Sequence, residues 1–293
     1  MTQHIPVLLQ EAVEALRPNT DGKYLDGTLG GGGHTEELLK ASAPNGRVLS
    51  LDVDLAAMTR AKERLEAYGD RFKIVEGNFR HLDRIAAEVG FVPLDGILLD
   101  LGFSSDELAD PKKGLSFQQD GPLDMRLGPK SNEDDLTAAE IVNSWTEDDI
   151  AKVLENFGEE RHARRIAHGI LEARKTARII GTLDLVSVIR RSVPKPRPED
   201  INPATRTFQA LRIVVNDELE ALKDAIRAAE RVLAPGGKLA IITFHSLEDR
   251  IVKQAFDVAP WKNLTEKPIV PSENEIRANP RSRSAKLRIA ERV

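Results

Sequence analysis

Short apolar runs that alternate with helical segments constrain the fold of this chain most. Five runs rich in Val, Ile and Leu are bounded by turn residues, which predicts buried parallel strands. They span Lys23–Asp26, Arg47–Asp52, Phe72–Glu76, Gly96–Asp100 and Lys238–Phe244. Helical segments separate the first four runs, and such βαβ alternation predicts a doubly wound, Rossmann-like α/β sheet.

A long stretch without a convincing strand interrupts this alternation after Asp100. We therefore expect one core formed by residues 1–104 and 205–293, with an inserted, mostly helical domain over residues 105–204. The segment Gly102–Lys130 is rich in Gly, Pro, Ser and Asp. That composition indicates an ordered functional loop or a linker.

The composition excludes several classes of site. The chain has no cysteine, so disulfides, zinc ribbons, iron–sulfur clusters and thiol nucleophiles are excluded. A net charge of −5 argues against unspecific coating of nucleic acid but leaves a local basic face open. No apolar run is long enough for a membrane helix, and the first residues, MTQHIPVLLQEAVEAL, lack the basic region and apolar stretch typical of a signal peptide. We expect a cytoplasmic protein without membrane contact.

The first predicted strand ends in a glycine-rich loop, Asp26-Gly-Thr-Leu-Gly-Gly-Gly-Gly-His34, which opens into a helix. Glycines let a ligand approach the backbone, but such a loop fits a dinucleotide, a flavin, a phosphate group or S-adenosylmethionine. The carboxylate of Asp26 would repel a pyrophosphate and would attract a ligand with an ammonium or sulfonium charge. This favours S-adenosylmethionine over NAD.

Polar or aromatic residues also end the next three predicted strands. Asp52 can accept hydrogen bonds from both ribose hydroxyls of an adenosyl group. Asn78 and Phe79 lie where an adenine would bind, and Asp100 lies beside the expected transfer centre. Each acid alone can be a helix cap, and Phe79 alone can be core packing. Together, at successive strand ends, they predict a cofactor site at this edge of the sheet.

Several uncommon strings occur together in the chain: HIPVLLQEAVEAL, DGTLGGGGHT, DGILLDLGFSS, GLSFQQDGPLDMR, NPATRTFQALRIVVNDEL, APGGKLAIITFHSLEDRIVK and NPRSRSAKLR. With them the sequence resembles the bacterial 16S ribosomal RNA cytosine-N4 methyltransferases from Gln3 onward. The resemblance implies an S-adenosylmethionine-dependent methyltransferase. Its implied target is the exocyclic N4 of a cytidine in the decoding region of 16S rRNA, within the small ribosomal subunit.

The resemblance also assigns cofactor contacts to matching positions: Gly32, Gly33, His34, Asp52, Phe79 and Asp100. A further contact falls on Glu107, where the family usually has Gln, and a carboxylate cannot donate a hydrogen bond as Gln does. Asn202 stands where the family often has His, so we expect no role there that needs an imidazole.

Methyl transfer to N4 constrains the chemistry of the site. Transfer to ring carbon C5 normally needs a thiolate, which this chain lacks, whereas an exocyclic amine must be held in line and lose a proton. The candidate catalytic residues are Asp100 first, then Asp124, Asn216, His245 and Ser246. Asp100 can instead only hold the methionine ammonium, and Asp124 can form an ion pair with Arg126. The mechanism requires no metal.

Basic residues cluster in two parts of the chain. The first includes Arg161–Arg178 with Arg190, Arg191, Lys195 and Arg197, which can be a solvated helix face or an RNA contact. The second is the tail, where Arg277, Arg281, Arg283, Lys286 and Arg288 predict a C-terminal basic arm that binds phosphates.

Two other functions remain open on sequence grounds, and a missing motif argues against a third. A nicotinamide-dependent oxidoreductase would share the fold, and a ribosome-assembly factor could bind the cofactor without turnover. A DNA amino-methyltransferase would need an Asn/Asp-Pro-Pro-aromatic motif where the chain has Asp100-Leu-Gly-Phe103. The sequence also leaves open whether naked rRNA or an assembled subunit is the substrate, and whether the protein is a homodimer.

Overall fold

The structure is a computed structural model that describes residues 6–129, 132, 134–195, 197 and 201–293. These residues form two compact units. The core unit contains residues 6–102 and 219–293, and the inserted unit contains residues 103–218. The inserted unit is longer than the predicted insertion because it takes in the helix that starts at Ala204.

The core unit is built on a seven-stranded sheet. Its strands are β1 (Lys23–Asp26), β2 (Arg47–Asp52), β3 (Phe72–Glu76), β4 (Leu94–Asp100), β5 (Leu233–Thr243), β6 (Trp261–Asn263) and β7 (Lys286–Arg292). The order is β3-β2-β1-β4-β5-β7-β6, with β7 antiparallel to both neighbours and the first five strands parallel. The predicted Rossmann-like α/β fold is confirmed.

Thirteen α-helices are present in the described residues. They are α1 (Leu9–Leu16), α2 (Gly33–Ala41), α3 (Leu55–Leu65), α4 (Leu82–Glu88), α5 (Ser105–Ala109), α6 (Ala138–Ser144), α7 (Glu147–Gly158), α8 (Ala163–Thr176), α9 (Thr182–Ser192), α10 (Ala204–Val215), α11 (Glu218–Val232), α12 (Ser246–Phe256) and α13 (Glu273–Ala278). None of these helices combines the length and apolarity needed to cross a membrane.

Alternating side chains of the strands cover both faces of the sheet. Leu25 of β1 faces a cluster formed with α4, α11 and α12, whereas its neighbour Tyr24 faces a cluster formed with α1 and α2. This follows from the two-residue period of a strand. Because both faces are buried, the strands are apolar almost throughout, and each fully buried Leu or Ile contributes about 1.5–3 kcal/mol. The polar residues are left at the strand ends.

The inserted unit has its own apolar core. In α7, Ile150, Val153 and Leu154 are buried, and their spacing places them on one face of the helix. The side chain of Thr146 accepts a hydrogen bond from the Asp149 N–H and so caps the helix. α7 packs against α8 and α10, and α8 packs against α9. The predicted helical character of the insertion is therefore seen in the structure.

Candidate functional site

Several positions of the glycine loop in the core unit accept only glycine without strain. Gly30 and Gly32 have φ angles of 49° and 75°, and Gly32 directly precedes α2. A Cβ atom on Gly27 would lie 2.4 Å from Leu99 Cδ2, and one on Gly33 would lie 2.2 Å from Pro6 Cγ. The loop therefore packs closely against its neighbours without side chains, and it leads into the N-terminus of α2, where the helix dipole favours a negatively charged or polar ligand group.

Asp26 fixes this loop from below. Its side chain is fully buried and accepts hydrogen bonds from the Thr28 N–H at 3.1 Å and from the Thr35 hydroxyl at 2.7 Å. These bonds occupy the carboxylate within the loop itself. Sequence reasoning missed the two threonines, although both stand in the string DGTLGGGGHT. Asp26 thus holds β1 and α2 together. Its predicted attraction for a positively charged ligand stays a prediction.

Asp52, at the end of β2, bridges the glycine loop to the next turn. One carboxylate oxygen accepts from the Gly30 N–H at 2.7 Å, and the other accepts from the Asp54 N–H at 2.8 Å. A carboxylate oxygen has two lone pairs and can accept more than one hydrogen bond. The position predicted for ribose binding is therefore partly exposed, rigid and able to accept hydrogen bonds.

Phe79 follows β3 in a short 3-10 turn, Phe79–His81. The Asn78 side chain caps this turn by accepting from the Arg80 N–H at 3.0 Å. Phe79 is partly exposed and packs against the core cluster, and its Cβ lies 3.1 Å from where a Cβ on Gly27 would be. The structure thus places the aromatic ring next to the glycine loop, while the packing role foreseen as its alternative is also present.

Asp100 ends β4 and is the most unusual carboxylate of the core unit. Its side chain is 15% exposed, and Oδ1 is buried with no hydrogen-bond partner among the described residues. Burial raises the pKa of Asp100 well above its usual value, and the charges of Asp26 and Glu248 raise it further. A cationic group beside Asp100 would satisfy both the orphaned oxygen and the charge.

His34, in the first turn of α2, is almost fully buried next to Asp100. Its Nε2 lies 3.0 Å from the Val7 carbonyl oxygen, and a carbonyl only accepts, so Nε2 carries the hydrogen. The other ring nitrogen, Nδ1, lies 3.7 Å from Asp100 Oδ2, beyond hydrogen-bond distance. His34 therefore lines the site and connects it to the N-terminal segment.

His245 and Ser246, predicted as catalytic partners, lie at the start of α12 in the core unit. His245 is the N-cap: its Nδ1 accepts from the Glu248 N–H at 3.4 Å, and Glu248 in turn accepts from the Phe244 N–H at 2.8 Å. Ser246 is exposed. The structure gives His245 a clear capping role, and its contact with the target nucleobase stays a prediction.

The remaining three candidates lie in the inserted unit. Glu107 forms a capping box with Ser104 at α5, and its Oε1 accepts from Lys113 Nζ at 3.0 Å. Ser104 and Lys113 both belong to the segment Gly102–Lys130, of which Lys130 lies outside the described residues. The predicted contact of Glu107 with the cofactor stays a prediction, since its carboxylate is engaged locally.

Asp124 forms an ion pair with Arg126, which was predicted as the alternative to a catalytic role. The guanidinium donates to both carboxylate oxygens at 2.8 Å. Burial alone would raise the pKa of Asp124, but the hydrogen bonds from Arg126 outweigh it and hold the pKa below its usual value. A carboxylate held in this way is a weak proton acceptor.

Asn216, at the end of α10, is buried and fully hydrogen-bonded within the inserted unit. Its amide nitrogen donates to the carbonyls of Met125 and Arg212 at 2.8 and 2.9 Å, and its oxygen accepts from the Leu127 N–H at 2.9 Å. Met125 has a φ angle of 66°, which side chains other than glycine rarely adopt. Asn216 therefore holds a strained turn in place.

The predicted basic arm of the tail is wrong for two of its residues. Lys286 and Arg288 lie in β7 and form ion pairs with Asp249, at 2.9 and 2.6 Å, and Arg288 is buried. The alternating apolar residues of KLRIAER carry the strand signal that was overlooked. Arg281 and Arg283 are exposed in the 3-10 turn Pro280–Ser284, so they remain available to a phosphate.

Comparison with known proteins gives a consistent picture along the whole chain. The sequence matches the MraW methylase family over residues 1–293. It is 47% identical to the Ribosomal RNA small subunit methyltransferase H of Heliobacterium modesticaldum, a match that covers 99% of this chain and 98% of that protein. It is 49% identical to the protein of the same name from Thermomicrobium roseum, covering 100% and 94% of the two chains.

Proposed function

Because the chain belongs to the MraW methylase family, we propose that it transfers a methyl group from S-adenosylmethionine to the exocyclic N4 of a cytidine in the decoding region of 16S rRNA. The names of the relatives support a small-subunit rRNA as the substrate. The orphaned, buried oxygen of Asp100 beside the glycine loop is the observation that carries the proposal. A cationic or hydrogen-bond-donating group of a ligand would satisfy this oxygen.

The residues at the sheet edge fit the cofactor. The backbone of Gly32 and Gly33 would approach its methionine portion, Asp52 would accept hydrogen bonds from its ribose, and Phe79 would pack against its adenine. S-adenosylmethionine supplies a methyl group on a positively charged sulfur. A negative Asp100 is favoured next to such a positive charge, which opposes the effect of burial in raising the pKa of this carboxyl.

Asp100 can serve the reaction in two ways. Its free oxygen can accept a hydrogen bond from an ammonium group, or it can accept the proton that N4 loses. The raised pKa belongs to the free protein, and a bound cation lowers it, so burial does not decide between the two roles. His34 limits the movement of Asp100 from the other side, since its Nδ1 lies 3.7 Å from Asp100 Oδ2.

The absence of cysteine supports N4 over the ring carbon as the methyl acceptor. An exocyclic amine has a delocalised lone pair. Methyl transfer to it therefore depends on orientation and proton removal rather than on a covalent intermediate. The base must be single-stranded or splayed out to enter a pocket. We propose that the inserted unit recognises the rRNA, and that the reaction takes place on small subunits in the cytoplasm.

The test is transfer of labelled methyl from S-adenosylmethionine to small subunits from cells that lack this activity, followed by nucleoside analysis. Asp100→Ala is measured in parallel, with Asp21→Ala as a control because Asp21 is an exposed carboxylate of the same unit. We expect N4-methylcytidine with the wild type and the control, and none with Asp100→Ala.

Two other outcomes contradict the proposal. A different methylated nucleoside would refute the assignment to N4. Cofactor binding without any transfer would favour the alternative that the protein is a ribosome-assembly factor that binds S-adenosylmethionine without turnover.

A further inference from the structure

A groove runs between α8 and α9 of the inserted unit, and nothing in the proposed reaction uses it. Its volume is about 660 Å³. α8 contributes Arg164, Arg165, His168 and Glu172 to its lining, and α9 contributes Arg191 and Ser192. All of them belong to one compact unit, so the groove is a property of the insertion alone.

The two helices approach closely at Gly169. A Cβ atom there would lie 2.1 Å from Ser192 Oγ, so only glycine fits without displacing that hydroxyl. The Ser192 hydroxyl donates to the Val188 carbonyl of its own helix at 2.8 Å. Since the helix backbones are hydrogen-bonded internally, the groove offers charged side chains rather than free backbone groups to an occupant.

The charge of the groove is positive. It is lined by three arginines and one glutamate, although the whole chain has a net charge of −5. Glu172 is engaged by Lys175, and Arg164 lies 3.8 Å from Glu155. Arg165 and Arg191 are exposed and have no ion pair within the described ranges. These two guanidiniums are therefore available to an anion.

His168 does not add to this available charge. Its Nδ1 lies 3.3 Å from Glu147 Oε2 on α7, so any positive charge on the ring would be matched locally. The free positive charge of the groove thus lies on Arg165 from one helix and on Arg191 from the other. An anion between the helices would face a guanidinium on each side.

We propose that the groove between α8 and α9 binds the sugar-phosphate backbone of the rRNA, an inference that rests on the proposed function. Guanidinium groups bind phosphate oxygens with two parallel hydrogen bonds, and two arginines on facing helices can hold successive phosphates. Contacts of this kind position a nucleic acid without reading its bases. The groove would therefore place the target strand while the core unit carries out the chemistry.

The test is binding and methylation of small subunits by Arg165→Gln/Arg191→Gln across a range of salt concentrations. The matched control is Lys253→Gln/Lys267→Gln, which removes two exposed charges that do not line the groove. Each lost phosphate contact should flatten the slope of log affinity against log salt by about 0.7–0.9. We expect a change of about 1.4–1.8 for the groove variant, none for the control, and a raised KM for RNA with kcat and cofactor affinity retained.

The outcomes separate this proposal from the previous one. If the wild type transfers no methyl group to rRNA, the proposed function fails. If the wild type is active and the groove variant matches the control in salt slope and KM, only the groove proposal fails. That result would leave an acidic protein surface as the partner of the groove.

Discussion

Replacing Asp100 by Asn is expected to stabilise the free protein while weakening cofactor binding. The native carboxylate has a buried oxygen without a partner, and the buried carboxylates of Asp26 and Glu248 raise its pKa further. A buried polar group left unsatisfied costs about 1–3 kcal/mol, and more when it is charged. Asn leaves a neutral polar atom in the same place and removes only the charge, so we expect Asp100→Asn to raise the free energy of unfolding at pH 8 by about 1 kcal/mol.

The sign of the pH dependence follows from the raised pKa. The folded protein holds the Asp100 proton more tightly than the unfolded chain does, so its contribution to stability is complete below the unfolded-state pKa. That contribution is lost as the pH rises through the folded-state pKa. Asn carries no charge at either pH, so the advantage of Asp100→Asn should shrink as the pH falls. Urea unfolding at several pH values measures this difference.

Cofactor binding should change in the opposite direction. A hydrogen bond to a charged group is worth about 1.5–3 kcal/mol, so S-adenosylmethionine should bind Asp100→Asn about 10- to 100-fold more weakly in calorimetry. Asp21→Asn, an exposed control, should change neither quantity. A variant that is no more stable than the wild type at pH 8 and binds the cofactor equally well would refute the reasoning.

Two further predictions concern backbone geometry. Gly32→Ala puts a side chain at a φ of 75° and should cost about 1–2 kcal/mol of stability and weaken cofactor binding in calorimetry. The control Gly90→Ala has a similar φ of 68° with open space around it, so it should lose stability but keep its affinity for the cofactor. Equal cofactor affinity in both variants would contradict a role for the loop. Asn216→Ala removes three hydrogen bonds and should lower the free energy of unfolding by at least about 2 kcal/mol in urea. Asn216→Asp should lose at least as much, because a carboxylate cannot donate to the Met125 and Arg212 carbonyls. A loss below about 0.5 kcal/mol would show that the Met125 turn holds without Asn216.

The sheet was predictable because burial on both faces leaves a continuous apolar signal. β1, β2 and β3 have the predicted bounds, and so does the carboxyl end of β4. β7 was missed because Lys286 and Arg288 favour a basic, solvent-exposed arm over a strand. Their ion-pair partner Asp249 lies on α12, distant in the sequence. Strand patterns do not reveal a pairing of this kind.

The candidate site was predictable where strands end and less so elsewhere. The polar residues at the ends of β1, β2 and β4 follow from the rule that ligands bind at the carboxyl ends of parallel strands. The local partners of Glu107, Asp124 and Asn216 did not follow from any pattern, because hydrogen bonds such as that from Asn216 to the Met125 carbonyl depend on the path of the loop. A residue type alone does not distinguish a ligand contact from a structural one.

The position of β7 has a consequence for how the chain folds during synthesis. β7 follows every other strand in the sequence but lies between β5 and β6 in the sheet. While the ribosome is still making residues 286–292, β6 has no strand to pair with, and one side of β5 is uncovered. Residues 103–218 have by then emerged and can bury their own apolar core. The insertion has all the residues of its own core before the sheet that flanks it in the sequence is complete.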